Sequence, residues 1–425
     1  MLQKFTPKSQ FARNVITLMM GTTVAQAIPV AISPILTRIY SPEEFGFFAL
    51  FISISSIFGA IVNGRYEMAI MLPDKEEDAI NIAALGLIIA FMSSVLLFVF
   101  VLFFCTEIAI LLSAPMIASW LYFVPITVLL IGVFNVLKYY NTRKEYYSDI
   151  ASANVYKSLV IASVQLLLGL FKGGAAGLIV GQILSYFTVN IRLSRKIFSD
   201  VDFKKNISIQ KMKKLAVQYK DFPKFSMWAT LANVLSVNLI NVFVSILYST
   251  SSLGFYSLVE RVLAMPASLM GGAVSQVFFR EATKERQKTG KTIRSFNGTI
   301  QKLIFIGLPI YALLYIFVVD IFSIVFGENW SIAGEYAKLL IPLFFIRFVI
   351  GTVSVMNTVF LQNKNGLIFQ LSLLAVSIIV IIISSYLDLN ISSFISLYVW
   401  LSIFVYFAFG IYLNALKQGG SDNNI

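Results

Sequence analysis

The chain has 425 residues, of which 58% are hydrophobic and 13% charged, with a formal net charge of +12. A soluble domain carries about twice that charged share, so the composition excludes a soluble enzyme and describes an all-α protein that crosses a membrane many times. There is no histidine and one cysteine, Cys105, which excludes imidazole metal sites, imidazole proton switches and intrachain disulfides.

Residues 1–13 carry no apolar core ahead of a small-residue cleavage site, so no removable signal peptide is expected. Apolar runs of bilayer-spanning length follow near 15–37, 45–70, 79–104, 117–138, 152–171 and 174–193. A second set lies near 225–247, 254–279, 299–319, 336–361, 366–385 and 391–414. The pattern divides the chain into an N-terminal six-helix lobe of residues 1–193, a basic linker of 194–224 and a C-terminal six-helix lobe of 225–425. Lys and Arg set the orientation. Ten of the 33 lie in 192–224 and seven in 280–302, whereas 105–116, 249–253, 320–335 and 386–390 hold none. With both termini cytoplasmic, the two basic segments face the cytoplasm. Topogenesis and lipid headgroups then account for the net charge, and no nucleic-acid partner is expected. Within the linker, Ile209 to Leu215 alternates basic and apolar residues and is expected to lie as a helix on the cytoplasmic leaflet.

One segment occurs twice. Tyr-Ser-Pro-Glu-Glu-Phe-Gly-Phe-Phe-Ala-Leu at 40–50 matches Tyr-Ser-Thr-Ser-Ser-Leu-Gly-Phe-Tyr-Ser-Leu at 248–258 in five of eleven positions, offset by 208 residues. Each copy joins the first apolar run of a lobe to the second. Each lobe holds an even number of spans starting from the same side, so the repeats are expected to have parallel topology about an axis along the membrane normal.

An ionisable side chain at the bilayer centre costs about 3 kcal/mol on insertion scales, so it faces a bundle interior or a cavity. The eighth span contains Glu260 and Arg261, which lie on different sides of the helix. They either bind helices together or line a water-filled cavity. Arg347 lies near the middle of the tenth span with no acid within a turn. It is a candidate for an anionic ligand, since guanidinium grips phosphate with two parallel hydrogen bonds; the alternative is an acid on another span, Glu260 or Glu67. The first span places Thr23, Gln26, Ser33 and Thr37 on one face, interrupted by Pro29 and Pro34, a pattern of bent, cavity-lining helices. Arg38 follows at its end and either joins the cavity or snorkels to the interface. The second span carries Ser53, Ser56, Ala60, Asn63 and Glu67 in one stripe, with Arg65 beside it. The fifth presents Asn154, Lys157 and Gln165. Arg38, Arg65, Lys157, Arg261 and Arg347 outnumber the inner acids, so the expected cavity is electropositive and selects an anion. Proton or sodium coupling, if present, falls on Glu260 and Glu67. There is no Gly-x-x-x-x-Gly-Lys-Ser/Thr loop for ATP, no His or Cys cluster for a metal, and no soluble stretch long enough for a catalytic domain. No cofactor and no enzymatic activity are expected.

Arg65-Tyr66-Glu67 with Ala69-Ile70 and Leu72-Pro73 resembles the end of the second helix of polysaccharide flippases. Arg261-Val262-Leu263 with Pro266, Gly271 to Ala273, Ser275-Gln276-Val277-Phe278 and Arg280-Glu281-Ala282 is similar to their eighth helix. Tyr219 to Pro223 with Lys224-Phe225-Ser226 resembles the opening of their seventh. Asn141 to Ala151, and Gly177-Leu178-Ile179 with Gly181-Gln182, add weaker likenesses. The family so resembled is the Wzx-type O-antigen and capsule flippases of the multidrug/oligosaccharidyl-lipid/polysaccharide exporter superfamily, relatives of the MATE drug exporters. The resemblance implies two six-helix lobes in a V around a central cavity, alternating access, and an undecaprenyl-diphosphate-linked oligosaccharide cargo. That cargo moves from the inner to the outer leaflet of the bacterial inner membrane. The protein is expected to work as a monomer, with other polysaccharide assembly proteins as partners. A MATE-like drug exporter would favour excess acids in its cavity, and a membrane polysaccharide polymerase a large outer loop; the sequence has neither.

Overall fold

The computed structural model describes residues 10–198 and 206–419. Most of the N-terminal segment read for a signal peptide, and Lys204 and Lys205 of the linker, lie outside the described residues. Among the described residues every regular element is a helix, as the bilayer demands of a chain that must satisfy its own backbone. The chain divides into two compact units, Met1–Thr250 and Ser251–Ile425.

The first unit holds α1 (Gln10–Ile39), α2 (Pro42–Gly59), α3 (Glu76–Leu111), α4 (Val124–Arg143), α5 (Tyr147–Leu170), α6 (Ala175–Phe198), α7 (Ile209–Gln218) and α8 (Met227–Leu247). The second begins within α9 (Thr250–Pro266) and continues through α10 (Gly272–Thr289), α11 (Ile293–Phe326), α12 (Ser331–Val353), α13 (Asn363–Tyr386) and α14 (Ile391–Leu416). Ten helices among the described residues are long and apolar enough to cross a membrane. The other two predicted spans, 45–70 and 254–279, are interrupted: α2 stops at Gly59, and α9 gives way to a π-turn after Pro266. They are the two that follow the repeated segment. The duplication is visible in the element ends: α1 and α8 stop at Ile39 and Leu247, and α2 and α9 start at Pro42 and Thr250, both pairs 208 residues apart.

In the first unit α1 packs along α5, and α5 along α6. Pro29 inside α1 has no N–H, which leaves the Ala25 carbonyl without its helical donor. Ser158 of α5 supplies one, its Oγ donating to Ala25 O at 2.7 Å. The hydroxyls of Ser33 and Thr37 turn back to Pro29 O and Pro34 O. Both side chains are buried, so this part of the expected polar stripe serves packing. Tyr40 of the repeated segment donates to Gln165 O at 2.6 Å and lies where Gly169 and Gly177 leave room; a Cβ on Gly177 would sit 2.2 Å from its hydroxyl. Apolar helices gain little from the hydrophobic effect inside a lipid phase, so small residues that allow close approach supply the cohesion. Gly46 of α2 is another such point, where an added Cβ would lie 1.8 Å from Thr250 O.

One expectation changes here and another is filled in. The span 45–70 is not one helix. α2 ends at Gly59, and the turn that follows puts Gly64 and Arg65 at φ +59° and +64°. Asn63 holds this turn against the bundle, its amide donating to Gly86 O and Gly132 O at 3.1 Å each. The stripe from Ser53 to Glu67 therefore does not share one helix face. The linker tract is a helix, and α7 docks on protein. Met212 and Leu215 are buried. Asn81 of α3 clamps the start of α7 by donating to Asn206 O and accepting from Ser208 N, each at 2.8 Å, and Tyr66 donates to Ala216 O at 2.9 Å. Those buried side chains face the bundle rather than the lipid.

In the second unit α12 is the central helix, packed against α11 and α14 and against the π-turn Ala267–Gly271 between α9 and α10. That turn follows Pro266, whose ring disfavours a regular helix. At one end of α10, the Glu285 carboxylate accepts from Arg294 N at 2.9 Å and Ser295 N at 2.7 Å, and Arg286 donates to Val359 O and lies over the Phe360 ring.

Candidate functional site

The charged spans of the second unit converge. Glu260 lies on α9 one turn after Tyr256, whose hydroxyl is 3.5 Å from its carboxylate, at the limit of hydrogen bonding. Arg347, on the central α12, lies in electrostatic range of Glu260, Tyr256, Tyr398 and Tyr406. The Tyr406 hydroxyl lies against the guanidinium, and the Phe344 ring centre is 5.1 Å from it. Tyr311 of α11 closes the group, its ring 5.8 Å from Phe345 and 6.1 Å from Phe348. The result is one carboxylate and one guanidinium inside a wall of phenols, built from α9, α11, α12 and α14. Phenol hydroxyls can both donate and accept, so the wall suits either charge. Arg347 thus has the acid neighbour Glu260 that the sequence held open as the alternative to an open cation. Arg261 follows Glu260 and is half-buried, turned about 100° away round the helix.

In the first unit, Arg65 and Glu67 pair with each other at 3.1 Å, with side-chain exposures of 19% and 2%. The second Glu67 oxygen and Arg65 Nε are buried with no hydrogen-bond partner. Lys157 stands elsewhere, its ammonium 3.4 Å from the Tyr186 ring centre and 5.2 Å from that of Phe134. Arg38 is exposed in the last turn of α1, donating to Pro34 O at 2.9 Å, a position that the helix dipole favours for a cation. The predicted residues therefore form local groups: Glu260 with Arg347, Arg65 with Glu67, and Lys157 in an aromatic cage. Arg38 joins none of these.

The sequence reading missed the phenols. Tyr398, Ser402 and Tyr406 recur every four residues in an otherwise apolar span, a polar stripe on one face of α14, and that signal was available. It also passed over Lys138. Among the described residues no three His, Cys, Asp or Glu side chains gather as a metal site.

The profile of the polysaccharide biosynthesis protein family matches residues 35–335, most of the chain. The chain belongs to that family. No curated protein matches it in sequence. Among solved structures, this polysaccharide biosynthesis family member is similar to an inward-facing multidrug resistance MATE transporter of the MOP superfamily. The two share 14% identity and a TM-score of 0.68, over 96% of this chain and 99% of that one. It is similar to the lipid II flippase MurJ in an inward closed conformation, at 14% identity and a TM-score of 0.69, over 95% and 87% of the two chains. A MOP transporter from Pyrococcus furiosus, described as having a binding pocket of reversed polarity, aligns at 13% identity and a TM-score of 0.53 over 95% of each chain. At these identities the likenesses establish the fold alone: this is an all-α, multi-pass membrane protein with the fold of those structures.

Proposed function

We propose that the chain is a flippase that moves undecaprenyl-diphosphate-linked oligosaccharide units from the inner to the outer leaflet of the bacterial inner membrane by alternating access. The observation that carries this reading is the charge inside the apolar spans. Lys157, Arg261 and Arg347 lie in the middle turns of α5, α9 and α12, where the one acid is Glu260; Lys138, Glu107, Asp320 and Glu335 lie within two turns of their helix ends, and Glu67 follows a broken helix. Cations this deep are costly without a purpose. A diphosphate is the part of such a cargo that needs them, because it must be stripped of water to cross. The family's role in polysaccharide biosynthesis and the fold shared with a lipid II flippase support the same cargo class. Coupling to a proton or sodium gradient would fall on Glu260 and Glu67. The cargo leaves chemically unchanged, so the protein acts as a transporter. The distribution of basic segments supports a cytoplasmic side for both termini.

Deleting the gene tests this. Long-chain surface polysaccharide should be lost while single lipid-linked units persist on the cytoplasmic side. Units accumulating on the outer side would instead identify a polymerase and overturn the proposal.

A further inference from the structure

Lys138 and Lys157 belong to neighbouring helices of the first unit, and neither has a carboxylate partner among the described residues. Lys138 is in electrostatic range of Lys157 and of Tyr186. Lys157 is held by rings alone: Tyr186 at 3.4 Å and Phe134 at 5.2 Å, which pack edge to face at 5.8 Å. Phe134 lies one turn before Lys138 on α4, so the two lysines and the two rings form one patch. Neither lysine has a salt bridge among the described residues. Lys138 is exposed and Lys157 half-exposed.

Cation–π contact is weaker than an ion pair, and two like charges this close raise each other's cost. Snorkelling does not explain Lys157. Lys157 lies ten residues into α5, about 15 Å along its axis, and its ammonium turns onto Tyr186 rather than to the helix end. A patch that keeps two ammonium groups together, orients one with a ring and supplies no carboxylate is arranged for an anion with two charges to share.

We propose that Lys138 and Lys157, oriented by Tyr186 and Phe134, form a phosphate subsite in the first unit that takes the diphosphate of the lipid-linked cargo. This rests on the flippase reading and deepens it by naming where the diphosphate is held. A resident phospholipid offers the same phosphate chemistry, and the test separates the two sources.

The probe is farnesyl diphosphate, titrated against the purified full chain in nanodiscs of phosphatidylcholine, with binding followed by native mass spectrometry. The wild-type chain should bind it well ahead of farnesyl monophosphate and farnesol. The Lys138→Gln/Lys157→Gln variant should bind it at least about tenfold more weakly, as expected for loss of charge-assisted hydrogen bonds. Lys138→Arg/Lys157→Arg should retain binding, which separates loss of charge from loss of fold. Equal affinity in the wild type and the glutamine variant would overturn the subsite. So would equal displacement of the probe by phosphatidylglycerol, which would assign the patch to a resident lipid. Failure of the wild-type chain to bind any diphosphate would count against the flippase reading itself.

Discussion

Replacing Arg347 by alanine is expected to abolish export and to lower the amount of folded protein. The two effects have different causes and can be separated. Arg347 lies in electrostatic range of Glu260, and both lie near Tyr256 and Tyr398. Removing the guanidinium takes one positive charge away from the carboxylate inside the phenol wall. The cost is below the ~3–5 kcal/mol of breaking a directly paired buried ion from one side, yet it counts against a typical stability of about 5–15 kcal/mol. Adding Glu260→Gln removes the carboxylate charge that Arg347 offset. The Arg347→Ala/Glu260→Gln protein should therefore recover its level in the membrane and its melting temperature while export stays absent. Normal polysaccharide from the double variant would show that the cluster only holds helices together. Because phenols line the pair on three helices, Tyr406→Phe should be milder than either charge removal.

The second large effect is structural. Gly46→Ala places a Cβ 1.8 Å from Thr250 O and 2.7 Å from Thr250 C. Both are backbone atoms of the turn after α8, which cannot swing aside as a side chain can. α2 must move away from that turn, and overpacking of this kind costs about 3 kcal/mol or more. The shift would also pull on Ser53, which accepts from Asn241 Nδ2 of α8 at 3.1 Å. Gly272→Ala is the control, since nothing lies within 4 Å of its added Cβ; a helical alanine there should be neutral or gain up to about 1 kcal/mol. Thermal unfolding in detergent should show a marked fall for the first variant and none for the second. Equal melting temperatures would mean that the contact between α2 and the turn is looser than described.

The architecture was legible because lipid leaves the chain few choices. Apolar length locates helices, and each of the twelve predicted spans contains one. The duplicated Tyr-Ser…Gly-Phe…Leu segment marks the same helix boundaries in both halves. What the sequence misjudged was a place where tertiary contacts override periodicity. Asn63 reads as part of a helical stripe, but two carbonyls from other helices draw it into a turn. The alternation at 209–215 did mark a helix, and what spacing could not supply is its protein contacts, which Asn81 and Tyr66 make. The site was half legible. Charges inside apolar runs stand out singly, whereas their pairing depends on which helices become neighbours. Spacing alone could not choose between Glu260 and Glu67 as the acid near Arg347. In the structure Glu260 takes that place, and Glu67 pairs with Arg65 only two positions away. Lys138 escaped notice because it is close to a cytoplasmic basic cluster, where a lysine is ordinary.

The central claim is movement of a diphosphate-linked oligosaccharide across a bilayer, and vesicles test it without the rest of the assembly pathway. The purified chain is reconstituted into liposomes that carry a fluorescent polyprenyl-diphosphate disaccharide, and the disaccharide exposed outside is followed with an added impermeant glycosidase. Wild-type protein should make the protected inner-leaflet fraction accessible with time, and the Arg347→Ala/Glu260→Gln protein should not. Accessibility no faster than in protein-free vesicles, with an ion gradient of either sign imposed, would contradict the account; transport of a cationic dye by the same vesicles would then point to a drug exporter.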